Sequence, residues 1–291
     1  MFKIITDTSA NLPTEYLRSN DITVVPFIFR IDGKEDECLD TALFDGKKYY
    51  GAMRDGADVT TSQISPQKFT EAFEEALRAG QDILYIGMSS GISGTIQSAN
   101  IAKESLAEQY PGRKIYVVDT LAASLGEGIS VMRAVEERAN GTDIDEIYSS
   151  LIELRPRVCQ IFTVDDLAYL KRGGRISGAT ALVGSVLGIK PILKANSLGQ
   201  IVKKGMARGK RKALEELARL YDELVVDAPN QTVCISHADC EEDALMLEEM
   251  LRRNNPPKSF FTVCYEPVTG AHVGPGTVAL FFIGDENVRN A

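Results

Sequence analysis

The sequence predicts an α/β protein built as two domains, a parallel-sheet α/β domain over residues 1–155 and an α+β domain over 156–291, with a ligand crevice between them. Three observations carry this. Short apolar runs alternate with longer helical patterns through the first half, as in strand–helix units whose parallel sheet is covered on both faces. The second half turns to a hairpin and to late strands. Between the halves stands Arg155-Pro156-Arg157, which reads as a hinge.

The elements follow in order. Residues 2–6, 23–31, 83–86 and 115–118 are rich in Ile, Val, Phe or Tyr and read as strands. Residues 66–79 read as a helix, because Ser65 is a good N-cap and Pro66 suits the first helical position. Phe69, Phe73, Ala76 and Leu77 fall on one face of it. Residues 94–109, 126–138, 142–154 and 163–170 read as further helices. The segments 191–195 and 200–204 flank Asn196-Ser197-Leu198-Gly199 and read as a hairpin. A helix over 210–224, a strand over 231–236, a helix over 241–252 and strands over 259–265 and 277–283 complete the chain.

Composition excludes several function classes. Lys and Arg number 32 against 41 Asp and Glu, a net charge of −9, whereas phosphate backbones need a basic face. With 44% hydrophobic and 25% charged residues, disorder and coiled coil are excluded as the main architecture. Cys38, Cys159, Cys234, Cys240 and Cys264 are odd in number, without a CxxC, and read as buried cytosolic thiols. His237, with Cys234 and Cys240 near it, lacks paired-ligand spacing, so no metal and no cofactor are expected. The start, Met1-Phe2-Lys3, reaches a charge too soon for a signal peptide. The longest apolar run, 176–193, is broken by Gly178, Gly184, Gly188 and Lys190-Pro191, and reads as a buried helix rather than a membrane span. A cytoplasmic protein is expected.

Chemistry concentrates in a few places. The strand at 83–86 runs into Gly87-Met88-Ser89-Ser90-Gly91-Ile92-Ser93-Gly94-Thr95 before a helix. Such a turn lies at the carboxyl end of a parallel strand, where open α/β sheets bind ligands. Glycines admit a close ligand, the helix's first N–H groups attract an anion, and hydroxyls add donors. Neither GxxxxGK[ST] nor GxGxxG occurs, so a single carboxylate or small phosphate suits the loop better than a nucleotide. Thr60-Thr61-Ser62-Gln63 forms a second hydroxyl cluster before a helix. His272 sits among three glycines and a proline and reads as an accessible ring on a constrained turn before a strand. Lys171-Arg172-Gly173-Gly174-Arg175 and the run from Lys203 to Lys212 gather positive charge on an acidic chain. An alternative uses the same loop: Gly87-Met88-Ser89-Ser90-Gly91 satisfies GxSxG, which would make Ser89 the nucleophile of a serine hydrolase with an acid and His237 or His272 as partners, Asp239 and His272 standing in the Ser…Asp…His order.

Taken together, Thr6-Asp7, Thr61-Ser62-Gln63, Ser89-Ser90-Gly91-Ile92-Ser93-Gly94-Thr95, Leu170-Lys171-Arg172-Gly173-Gly174-Arg175-Ile176, Lys190-Pro191-Ile192-Leu193, Arg208-Gly209-Lys210 and Gly270-Ala271-His272-Val273-Gly274-Pro275-Gly276 resemble the DegV family, also called EDD-fold proteins. Two departures are mild: Ile64 stands where proline is common, and Asp7-Thr8 where Asp-Ser is common. The resemblance implies a non-enzymatic carrier of a long-chain fatty acid that presents its carboxyl group to an ATP-dependent fatty acid kinase, which forms the acyl phosphate. It implies that Thr61, Ser62, Ser93, Gly94 and His272 hold the carboxylate, and that Arg172, Arg175 and Arg208 face the kinase or the acyl phosphate. Elementary energetics agree. A tail of roughly fifteen methylenes at about 0.8 kcal/mol each gives on the order of 12 kcal/mol before association costs, so the head group sets register. The segment 176–193 has two readings, a lining of the tail slot or tight core packing.

Overall fold

The computed structural model describes residues 2–176 and 188–290. The first half contains β1 (Phe2–Asp7), α1 (Thr14–Ser19), β2 (Ile22–Val25), β3 (Ile28–Ile31), β4 (Lys34–Glu37), α2 (Gly46–Arg54), β5 (Val59–Ser62), α3 (Pro66–Arg78), β6 (Asp82–Gly87), α4 (Thr95–Gln109), β7 (Ile115–Asp119), α5 (Leu125–Ala139) and α6 (Ile144–Leu154). A single 3₁₀ turn, Arg155–Arg157, leads to the rest. There follow β8 (Val158–Thr163), α7 (Ala168–Arg172), β9 (Ile189–Ala195), β10 (Ile201–Arg208), α8 (Lys210–Leu224), β11 (Thr232–His237), α9 (Glu241–Asn254), β12 (Ser259–Cys264), α10 (Pro267–Val273) and β13 (Val278–Ile283).

Strands β2-β1-β6-β7 form a parallel sheet in that order. Ile4, Ile5 and the run Ile83-Leu84-Tyr85-Ile86 are fully buried. Continuous burial, rather than alternation, is what helices on both faces of a parallel sheet produce. Helix α3 starts as its sequence predicts: the Ser65 hydroxyl accepts from the Lys68 amide, Pro66 occupies the first turn, and Phe69 and Phe73 are buried. The second sheet is mixed, in the order β10-β9-β8-β13-β11-β12. Its central strands β8, β11 and β13 are also buried on both faces. Phe162, Ala279 and Phe281 face the core shared with the first half, whereas Ile161, Leu280 and Phe282 face a second core under α8 and α9. The α/β first half and sheet-and-helix second half are thus as the sequence predicts.

Several elements depart from the sequence-based reading. Residues 23–31 are two strands, not one. Pro26 removes a ladder donor between them, β2 stays in the parallel sheet, and β3 joins a separate antiparallel sheet of order β4-β3-β5. The helix expected over 163–170 is largely absent. Thr163 ends a buried strand, β8, and the helix begins only at Ala168. Of the buried helix expected over 176–193, residues 177–187 lie outside the described residues, and 189–193 are strand β9, paired with both β8 and β10. His272 stands on helix α10 rather than on a turn. Glu266 caps that helix, with its carboxylate accepting from the Val268 and Thr269 amides at 2.6 Å each, and Gly274 ends it at a positive φ of 77°. No helix among the described residues is long and apolar enough to cross a membrane.

Candidate functional site

A cavity of about 800 Å³, its open mouth included, lies between the carboxyl edge of the first sheet and the inner face of the second. Phe27, Met88, Ile92, Phe162, Leu170 and Phe281 make most of it apolar. Thr61, Ser93, Arg175 and His272 form a polar group on its wall.

Each polar side chain is placed by its element. Thr61 lies on β5, opposite Phe29 of β3. Its hydroxyl is 2.8 Å from Nε2 of His272. Ser62, the next residue on the strand, does not line the cavity. Side chains alternate along a strand, and the Ser62 hydroxyl instead accepts from Arg30 at 2.7 Å. Ser93 sits in the turn between β6 and α4, its amide donating to the Ser89 carbonyl at 3.1 Å and its hydroxyl 2.8 Å from that of Thr95. Gly94 precedes α4, whose first-turn N–H groups lack intrahelical acceptors. A Cβ on Gly94 would fall 2.2 Å from Oε1 of Gln63, so the Gln63 side chain, just past β5, reaches the turn.

His272 is held tightly. Two bonds from α2 staple α10 in place: Tyr49 Oη donates to the Pro267 carbonyl at 2.7 Å and Tyr50 Oη to the Tyr265 carbonyl at 2.9 Å. Burial, and then the guanidinium groups of Arg175 and Arg172, push the imidazole down to about 4 from 6.5. The ring is therefore neutral at pH 7. Arg175 donates from Nε to the Ile92 carbonyl at 3.2 Å, beside Ser93. Arg172 is exposed on α7, its guanidinium 5.0 Å from the Tyr169 ring centre. Arg208 is exposed at the end of β10 and does not line the cavity. Of the residues singled out in the sequence, Thr61, Ser93, His272 and Arg175 meet at the cavity; Gly94 adjoins it, while Ser62 and Arg208 do not line it.

The serine hydrolase alternative fails on geometry. Ser89 is fully buried; its hydroxyl donates to the Gly199 carbonyl at 2.9 Å and accepts from the Gly91 amide at 3.0 Å. His272 is engaged with Thr61, and Nδ1 of His237 accepts from the Cys240 amide. Asp239 accepts from Arg54 on the surface. No imidazole is hydrogen-bonded to Ser89, and a nucleophile needs its base within that reach. Among the described residues no group of three or more His, Cys, Asp or Glu could hold a metal ion.

Sequence reasoning missed Gln160, Ala195 and Tyr265, which line the cavity. Gln160 and Ala195 lie on β8 and β9, a strand that was not expected and one that was read only in part. A glutamine inside a run of Val, Cys, Ile and Phe is the signal that was available: a polar residue on a buried strand needs a partner or a site.

Comparison with known proteins agrees with the fold. A family model described as "Uncharacterised protein, DegV family" matches residues 1–285. A DegV domain-containing protein of Clostridium perfringens is 42% identical over 285 residues, 98% of each chain. A DegV family protein of Thermus thermophilus, solved under a title naming fatty acid binding, is 31% identical with a TM-score of 0.86 over 98% of this chain and 99% of its own. The Bacillus subtilis DegV, described as a fatty acid binding protein, is 29% identical with a TM-score of 0.83 over 98% and 99%.

Proposed function

This chain belongs to the DegV family, and on that premise we propose that it binds a long-chain fatty acid, with the carboxylate at Thr61, Ser93 and His272 and the tail in the apolar cavity. The observation that carries the reading is the placing of Thr61, Ser93 and His272 on the wall of a cavity lined mostly by apolar side chains. Thr61 and the neutral imidazole of His272 share one hydrogen bond, and the imidazole tautomer sets which of them donates. Ser93 and the amides at Gly94 and the start of α4 supply further donors. Ser62 supports the cluster through its bond from Arg30 rather than by contact. The negative charge is balanced by the nearby guanidinium of Arg175, not by imidazolium.

In this reading residues 1–155 and 156–291 are two halves of a clamp, and the chain is a cytoplasmic carrier with no catalysis of its own. It offers the carboxyl group to an ATP-dependent fatty acid kinase, with Arg172 and Arg208 on the exposed approach and Arg175 bridging cavity and surface. Ser93→Ala and His272→Ala should weaken fatty acid binding while the fold persists. Arg172→Ala and Arg208→Ala should leave binding nearly unchanged and slow phosphorylation by such a kinase. Calorimetric titration of the delipidated chain checks the first pair. Loss of lipid binding in the arginine variants equal to that in Ser93→Ala would contradict the division of roles.

A further inference from the structure

The second core ends in a small basic pocket. Strands β8, β9 and β10 meet the last turn of α8 and the residues after β13 there, and Cys159, Leu220 and Val288 form part of its apolar wall. Gln160 and Ala195 line both this pocket and the large cavity. Its charged lining is Lys194, Lys204 and Arg289, with no Asp or Glu among the described lining residues. Lys194 pairs with Ile161 across β8 and β9, and Ile161 and Ile192 face the second core, so alternation along β9 puts Lys194 on that face. Its Nζ donates to the Arg289 carbonyl at 3.0 Å. Lys204 is the extra residue of a bulge in β10, where the pairing shifts between Lys203 and Gly205, and bulges re-aim a side chain.

Arg289 is only 3% exposed. Its Nη1 donates to the Leu121 carbonyl, in the loop of the first half that follows β7. Its Nε and Nη2 are buried, and no protein acceptor among the described residues reaches them. Nε–H and Nη2–H lie side by side on one edge of the planar guanidinium, so a single acceptor can satisfy both. The charge of Asp119 is felt at Arg289, but its Oδ1 accepts from the Ser90 and Leu121 amides, and Arg155 adds positive charge. A buried cation without a counter-charge is costly. Burial pushes Arg289 down to about 10, and burial, and then the charge of Lys204, lower Lys194. The pocket is a narrow one of about 270 Å³, its mouth included, with room for one occupant about the size of a water molecule.

We propose that this pocket is a binding site for a single monatomic anion of chloride size, held by Nε–H and Nη2–H of Arg289 and flanked by Lys194 and Lys204. Water would satisfy the two donors and leave the charge, whereas an anion satisfies them and adds the negative charge that the lining lacks. A tetrahedral oxyanion is too large for the space. By neutralising Arg289 the anion fastens the residues after β13 to the Leu121 loop, so its binding stabilises the fold. The site is independent of the fatty acid reading of the larger cavity.

The test is thermal unfolding of wild type, Arg289→Gln and Lys204→Met in sodium chloride against sodium gluconate at fixed ionic strength, together with crystals of the wild type grown in sodium bromide. In wild type the melting temperature should rise with chloride and saturate, by roughly 2–3 °C at a tenfold excess over the dissociation constant. Arg289→Gln should show no such rise, and Lys204→Met should need several-fold more chloride to reach it. The anomalous signal of bromide should peak within hydrogen-bonding distance of Nε and Nη2 of Arg289. Identical wild-type curves in chloride and gluconate overturn the proposal, as does a full chloride response in Arg289→Gln or a bromide map with no peak at Arg289. A bromide peak without a saturable chloride response marks an adventitious ion only and overturns it too. If Arg289→Gln does not fold, Lys204→Met and the bromide map decide, because Lys204 is exposed and its replacement leaves the core intact.

Discussion

In the proposed reading Thr61 has two jobs: it holds the His272 ring and faces the ligand. Thr61→Val keeps the shape and removes both. The expected loss is about 1–2 kcal/mol, roughly 5- to 30-fold in fatty acid affinity, read by calorimetry. His272 also leaves a mark on stability. Its pKa is near 4 in the fold against 6.5 ordinarily. Between those values the unfolded chain binds a proton that the folded chain refuses, so stability falls as pH drops from 6.5 towards 4 and levels off below. Denaturant titrations at pH 7 and pH 5 should show a larger loss in wild type than in His272→Gln. Buried carboxyls act in the opposite sense. The Ser9 hydroxyl lies 2.5 Å from Oδ1 of Asp7 and 2.6 Å from Oε2 of Glu127, and it has one proton for two carboxyl groups. Burial, and then the charge of Asp7, raise Glu127 well above the usual carboxyl range, and burial raises Asp7 as well. A raised carboxyl stabilises below its unfolded value, and that contribution declines as pH rises through the folded one. Glu127→Gln should therefore lose less stability than wild type between pH 5 and pH 9; an identical slope in both proteins would remove Glu127 from the account.

Among the elements, α10 is positioned by its neighbours rather than by its own seven residues. Gly173, at the end of α7, shows how closely. Its backbone has an ordinary φ of −70°, so alanine is allowed there, yet a Cβ would fall 2.3 Å from Nδ1 of His272. Gly173→Ala should displace the ring and weaken fatty acid binding several-fold while the melting temperature changes by only a few degrees. A large drop in melting temperature with intact affinity would contradict it. The elements also divide cleanly by how readable they were. Helix α3 has its cap, its proline and a single apolar face, and its start was legible to the residue. The hairpin between β9 and β10 was legible from Asn196 to Gly199. Strand β8 was not, because Val158-Cys159-Gln160-Ile161-Phe162-Thr163 is buried on both sides and has no period for the eye to catch. Strand β4, Lys34–Glu37, is exposed throughout and highly charged, so its only signal is its partner β3. His272 was singled out in the sequence by its glycine surroundings, but Gly270 lies within a helix and Gly274 ends it, in place of the turn they suggest.

For the whole molecule, the two halves are joined by packing as well as by chain. One continuous core takes in Ile4 and Ile86 from the first sheet and Phe162 and Phe281 from the second, and the cavity opens within it. A fatty acid there bridges both halves and binds only the folded state. At a free concentration 100-fold above the dissociation constant it adds about 2.7 kcal/mol, which for a chain of this size raises the melting temperature by roughly 4–5 °C over the delipidated form. The order of the halves and the loop at 87–95 were legible in the sequence. How the halves face each other was not, because the row Ile201, Ala195, Gln160 and Phe281 exists only once four strands take their register. The most direct measurement is native mass spectrometry of the freshly purified chain, followed by delipidation and re-addition of a long-chain fatty acid at micromolar concentration. A one-to-one adduct with the mass of a fatty acid, lost on delipidation and restored on addition, is the predicted result. A chain that purifies empty and takes up none would contradict the central claim.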